Sequence, residues 1–287
     1  MLKDLAEVWR FRELLRNMVI RDIRVRYKNS SLGFFWSFLL PAAQVTILTV
    51  VIKYIIGVKI PNYSAYLLCS ILAFNFFSQS VLESSTSILA YAGLVKKTYF
   101  PREILPAAVV ISNLLHFILA MIVFFLYVVV LRLTHHTGEP AILVTWLLLP
   151  VVILINFMLN LGLAFYLSCL NTYYEDVKYI VTVMMNLIFY LLPIVYPVEL
   201  AIKKSESHHS LLILAKLHFY GNPLSYLLIA YRKLLLPAFQ GEIGGVTIYT
   251  TPFNYMYLGL AALTSFLILV SGYAYFNKRK WYFAERI

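Results

Sequence analysis

Charge is scarce in this chain: 13% of its 287 residues are Asp, Glu, Lys or Arg, against 61% that are hydrophobic. A water-soluble domain of this length has too little interior to bury so much apolar surface, and a mean hydropathy of +0.79 marks a membrane protein. The apolar runs extend from residue 33 to residue 276, which excludes a soluble enzyme carried on a membrane tail. Cysteine is nearly absent, and Cys69 and Cys169 both lie inside apolar runs, so neither a disulfide framework nor a thiolate metal site is indicated. Catalytic signatures are missing too: the chain has no HExxH, no GxSxG and no paired carboxylates in a span. It also has no GxxxxGK[ST] phosphate loop, so no cofactor is expected in this chain, and a transporter powered by ATP would need a separate ATPase subunit to bind ATP and Mg.

Aromatic residues and apolar stretches are abundant, with 22 Tyr, 20 Phe and 4 Trp. A crossing takes about 20 mostly apolar residues for a hydrocarbon core of roughly 30 Å. Six stretches qualify, about 34–57, 65–86, 104–131, 141–170, 178–197 and 253–276, which predicts an all-α membrane protein with both termini on one side. The formal charge of +11 would suggest a nucleic-acid partner in a soluble protein. Here 16 of the 24 Lys and Arg fall in residues 1–32, the tail and the loops on their side, so the positive-inside rule places both termini in the cytoplasm and no nucleic acid is expected.

The chain therefore divides into an interfacial helix at 1–32, spans one to five over 33–197, an external segment at 198–252, a sixth span at 253–276 and a tail at 277–287. Residues 1–32 do not read as a cleavable signal, because the basic region is too long and a full-length span follows it. Leu5, Val8, Phe11, Leu15 and Met18 recur at helical spacing opposite Arg10, Arg12, Glu13, Arg16 and Asn17, which predicts a helix lying in the headgroup region. In the external segment, Leu211–Phe219 and Leu224–Leu236 are too short to cross and predict a pair of re-entrant helices. Asn222-Pro223 supplies a helix start for the second of them.

Polar residues within the spans share faces: Ala42, Thr46, Thr49 and Lys53 on the first, Asn75, Gln79, Glu83 and Thr86 on the second, and Thr182, Asn186, Tyr190, Pro193 and Pro197 on the fifth. Two readings fit such stripes, hydrogen bonding between packed helices and the wall of a pathway. His116 is the one titratable side chain well inside a span, which gives little support to a proton-coupled carrier. A wall of amides, hydroxyls and rings suits a neutral, hydroxyl-rich cargo.

Four segments resemble the permease subunits of ABC-2 type exporters for cell-surface polysaccharides, O-antigen and teichoic acids. They are RDIRVRYKNSSLGFFWSFLLP at 21–41, YFPREILPAAVVISNLLHF at 99–117, LLPIVYP at 191–197 and NPLSYLLIAYRKLLL at 222–236. Their order along the chain is the family's. The resemblance implies a homodimer working with two ABC ATPase subunits in the bacterial inner membrane, and a channel along the dimer axis formed mainly by spans one, two and five. The implied cargo is a glycan carried on polyprenyl diphosphate, with Arg21, Arg24, Arg26 and Lys28 where its diphosphate head would arrive. Positive-inside topology explains the same four residues equally well.

By the same resemblance, Phe11, Lys96, Lys97, Tyr99, Phe100 and Arg102 belong to the surface that docks the ATPase. Phe38, Tyr54, Phe74, Tyr190 and Tyr196 are the candidate tunnel lining, although an interfacial aromatic belt would also account for Tyr54 and Tyr196. The fourth-to-fifth loop departs from the family: NTYYEDVKYI at 171–180 sets Glu175 before Asp176 where an Arg-Asp pair is common, which puts a gate or interface role for these two in doubt. Two other activities remain, an ABC-2 exporter of small lipophilic molecules and an intramembrane transferase acting on polyprenyl lipids. For the transferase the best available acids are Glu103, Glu175 and Asp176.

Overall fold

A computed structural model describes residues 7–28, 33–135, 144–206, 208–243 and 245–286. Lys3, Leu5, residues 29–32 and the start of the expected fourth span at 141–143 lie outside them. Among the described residues five helices are long and apolar enough to cross a membrane, so the chain is a multi-pass membrane protein. Around them the helices run in chain order as α1 (Arg12–Arg26), α2 (Trp36–Thr49), α3 (Tyr63–Ser85), the short α4 (Ser87–Ala90) and α5 (Ala92–Lys97), α6 (Ile104–His135), α7 (Leu149–Tyr173) and α8 (Val177–Leu191). After these come α9 (Val198–Ser205), α10 (His209–Lys216), α11 (Pro223–Leu235), the hairpin β1 (Gln240–Ile243) and β2 (Val246–Tyr249), α12 (Tyr255–Arg279) and α13 (Phe283–Arg286).

The expected fifth span is the one that falls short. Its helix α8 has 15 residues, about 22 Å of rise, and it stops because Pro193 forces the residue before it out of the helical region. Leu192 accordingly sits at φ −76°, ψ 151°.

Helix α3 is the axis of the molecule and packs against α2, α6, α7, α8 and α11. Helices α7 and α12 meet most closely, at a glycine pair. A Cβ on Gly162 would lie 2.7 Å from the backbone of Ile268 and Leu269, and one on Gly272 would collide with the Gly162 carbonyl. Small residues that let backbones touch are a main source of helix association in lipid, where apolar burial gives no drive between helices.

The end that carries the basic residues has its own apolar cluster. Met18, Val19, Ile88, Phe100, Phe165, Phe276 and Phe283 are buried there, and Val8, Phe11 and Leu15 pack against them. The apolar stripe of α1 is thus applied to the base of α6 and its neighbours, not to a headgroup layer alone as the amphipathic pattern suggested. Gly33, at φ +50°, turns the chain from α1 into the first span, a backbone conformation that glycine adopts without steric cost.

At the opposite end both expected short helices form. Asn222 Oδ1 accepts hydrogen bonds from the Leu224 and Ser225 amides at 3.0 and 3.5 Å, and Pro223 opens α11, as the dipeptide predicts. Helix α11 is almost wholly buried against α3, α7 and α12. Arg232 is buried on it with its guanidinium 4.3 Å from the Tyr66 ring centroid, donating to the Tyr66 hydroxyl. The hairpin, which no sequence pattern indicated, pairs Gln240 with Tyr249 through Ile243 with Val246. It also holds the loop after the first span, because Lys59 and Glu242 exchange backbone hydrogen bonds at 3.0 and 3.1 Å and form an ion pair at 3.0 Å.

Candidate functional site

One face of α2 borders two hollows. The first, about 700 Å³, lies between α2, α3 and α6 near the basic end and is bordered on α2 by Trp36, Leu40, Pro41 and Gln44. The second, about 410 Å³, lies between α2 and α8 and is bordered by Gln44, Ile47, Leu48, Phe189, Tyr190 and Tyr196. Gln44 belongs to both. The spacing 36, 40, 41, 44, 47, 48 is one face of a helix, and Pro41 removes one backbone donor within that helix.

An ion pair anchors the first cavity. Arg26 Nη2 donates to both carboxylate oxygens of Glu83, at 2.8 and 2.6 Å, while Nη1 lies 3.5 Å from Gln79 Oε1. Asn113 Nδ2 donates to the same carboxylate at 2.8 Å and to the Val109 carbonyl at 3.1 Å. Nearby, the Tyr27 hydroxyl is 2.5 Å from His116 Nδ1, so the histidine that looked isolated in sequence is hydrogen-bonded to the segment that follows α1. Glu83 and Gln79, with Asn75, border this cavity. The Thr46 and Thr182 hydroxyls, by contrast, donate to their own helices at Ala42 and Lys178, which uses their polarity locally.

The structure divides the expected tunnel lining. Tyr190, 75% exposed, and Tyr196 meet in the second hollow beside Phe189. Phe74 is buried beneath them with its ring 5.4 Å from that of Phe189. Phe38 packs against the core, and Tyr54 is exposed with the Lys53 ammonium 5.9 Å from its ring, so neither borders that hollow. Of the basic run, Arg24 and Lys28 are exposed, Arg26 is committed to Glu83, and the Arg21 guanidinium stands 4.5 Å from the Tyr91 ring centroid.

Those last contacts belong to a platform at the basic end. Tyr91 donates to Asp22 at 2.8 Å, and burial pushes its phenol up to about 12, with the Asp22 carboxylate adding to the shift. Tyr99 donates to Glu7 at 3.0 Å, and this bond to a carboxylate raises the phenol's pKa. Phe100 is buried, while Lys96 and Lys97 face outward. Lys280 forms a buried ion pair with Glu103 at 2.6 Å, and Arg102 donates to the Lys280 carbonyl. Trp281 is exposed just beyond.

Sequence reasoning missed the tail's part in this platform and the Arg26–Glu83 pair. The signals were two lone acids, Glu83 and Glu103, each at the basic end of a span. Glu175 and Asp176 are exposed and form no ion pair among the described residues; Lys178 instead sits 4.9 Å from the Tyr179 ring centroid. Among the described residues no group of three or more His, Cys, Asp or Glu is placed to hold a metal.

Comparison with known proteins fits this arrangement. Residues 13–236 match the ABC-2 type transporter membrane family. The chain is 30% identical over 276 residues to an O-antigen export system permease protein RfbA of Klebsiella pneumoniae, covering 95% of this chain and 94% of that one. It is 28% identical over 289 residues to the RfbA protein of Myxococcus xanthus, each covered in full. The polysialic acid transport protein KpsM of Escherichia coli is 22% identical over 249 residues, 85% of this chain and 90% of that one. With a family match that spans most of its length and relatives aligned nearly end to end, this chain belongs to the ABC-2 type transporter membrane family.

Proposed function

We propose that this chain is the membrane-spanning subunit of an ATP-driven exporter that moves a lipid-linked cell-surface polysaccharide, of the O-antigen, capsule or teichoic acid class, across the bacterial inner membrane. Two copies and two ABC ATPase subunits make the working complex, and the ATPases bind ATP and Mg. Both termini are cytoplasmic in this reading, so the basic end is the inner end. Helix α8 with the LLPIVYP bend completes a sixth crossing, and α10 and α11 re-enter from outside. The observation that carries the reading is the shared face of α2, where Gln44 borders both an inner cavity and an outer groove walled by Tyr190, Tyr196 and Phe189 together with aliphatic side chains.

A wall of tyrosines, amides and a self-neutralised ion pair hydrogen-bonds and stacks against sugars without binding any one of them tightly, which a polymer in transit requires. In the basic run, Arg24 and Lys28 are exposed and form no ion pair among the described residues, which suits them to a diphosphate head arriving at this end. Helix α1, the 96–102 loop and the tail around Trp281 form the face the ATPase would engage. Because Lys280, Arg102, Tyr99 and Tyr91 tie those pieces together, a push from the ATPase would move them as one body toward α2. The test is ATP hydrolysis by this chain co-purified with the ATPase encoded beside it, with and without lipid-linked glycans. Hydrolysis that appears in the complex and rises with a glycan lipid supports the reading, and failure to associate with any ABC ATPase contradicts it.

A further inference from the structure

Assignment of Arg26 to a diphosphate head conflicts with its surroundings. Its guanidinium already holds Glu83 through two short bonds, so an anion would have to displace a carboxylate or lie beside it, and both are electrostatically unfavourable. The pair neutralises itself and leaves a 700 Å³ cavity within the size range of small-molecule sites. Apart from that pair its wall has no Lys, Arg, Asp or Glu among the described residues, and its polar groups stand among aliphatic and aromatic side chains. Asn75 on α3 and Gln44 on α2 make no hydrogen bond among the described residues, and the Gln79 amide nitrogen donates to none of them. Asn113, 1% exposed, commits its amide hydrogens to Glu83 and Val109 and so holds the carboxylate of the pair in place. The exposed Trp36 ring supplies flat apolar surface beside these amides, while Phe76 and Phe117 are buried behind them, stacked on each other with centroids 5.0 Å apart.

Amides that both donate and accept, set beside the exposed Trp36 face and a self-neutralised ion pair, match the chemistry of a neutral sugar ring. We infer that this open cavity, formed by one copy of the chain between the end of α1, α2, α3 and α6, is a binding site for a neutral hexose unit. The inference rests on the exporter reading and deepens it: the inner cavity holds one sugar of the glycan before that glycan reaches the outer groove, and phosphate binds elsewhere.

Trp36 lies in the wall and reports occupancy. The full chain with Trp9, Trp146 and Trp281 replaced by Phe, in lipid nanodiscs free of glycosidic detergent, is titrated with methyl glucoside, methyl galactoside and methyl mannoside, and separately with inorganic diphosphate. The expected result is a saturable change in Trp36 emission with at least one glycoside and none with diphosphate. Loss of one amide in Gln79→Ala should weaken that glycoside about tenfold, roughly the fold-change of one good hydrogen bond. Asn75→Ala should do the same, so one of the two suffices if the other fails to assemble. Silence with every glycoside, a response to diphosphate alone, or unaltered glycoside binding in both variants would overturn the inference. Export with the ATPase is measured separately, so wild-type export without glycoside binding defeats this site and leaves the exporter reading standing.

Discussion

The second span and the first span differ more than any other pair of neighbours in this molecule. Over their most apolar windows 78% of the second span is buried, against 11% of the first. Both are similarly apolar to a sequence scan, yet α3 is surrounded by five helices while α2 touches the bundle along one face and borders hollows there. Helix α8 resembles α2, with Tyr179, Val183, Leu187 and Tyr190 exposed along it. The contrast separates a scaffold, made of α3, α6, α7, α11 and α12, from two helices whose surfaces are still available. In lipid, where tail packing replaces water exclusion, exposed apolar surface alone says little; exposed Tyr, Gln and Asn beside cavities say more.

Changes to the scaffold should show in stability, and the largest effect is expected at the α7–α12 crossing. Gly272→Leu drives a side chain into the Gly162 carbonyl, and the expected outcome is loss of folded protein, read as a vanished monodisperse peak in fluorescence-detected size exclusion. Next comes the basic-end platform. Glu103→Gln leaves Lys280 buried without its counter-ion and should cost about 3 kcal/mol, seen as a lowered Tm in nanodiscs. Adding Lys280→Met should recover most of that loss, since both charges are then gone. Asn222→Ala removes the α11 cap and should cost about 1 kcal/mol, a small downward step in the same melting assay. If Thr46→Val on α2 lowered Tm as much as these changes, the division into scaffold and available helices would fail.

Much of this arrangement was legible in the sequence because span length, the Asn-Pro helix start and the clustering of Lys and Arg are local signals. The Asn222 cap formed where the dipeptide placed it, and Met18 was rightly read as apolar-facing, although the surface it meets is protein. Residues that depend on a distant partner could not be read. Arg26 looked like a ligand for phosphate because its partner Glu83 is 57 positions away, and Lys280 looked like a topology signal because Glu103 is 177 positions away. The hairpin was hidden for another reason: four-residue strands with one buried position carry almost no alternation to detect. Phe74 shares the aromatic character of Tyr190, and only packing tells the buried ring from the exposed one.

The central claim is that the exposed wall along the first and fifth spans carries the polymer, and export in cells tests it most directly. A strain lacking its own copy of this gene is complemented with wild type or with Tyr190→Ala combined with Tyr196→Ala, and surface polysaccharide is measured beside the amount of permease co-purified with its ATPase. The account predicts normal assembly and Tm, and surface polymer reduced at least tenfold. Wild-type levels of polymer from the double variant would contradict it.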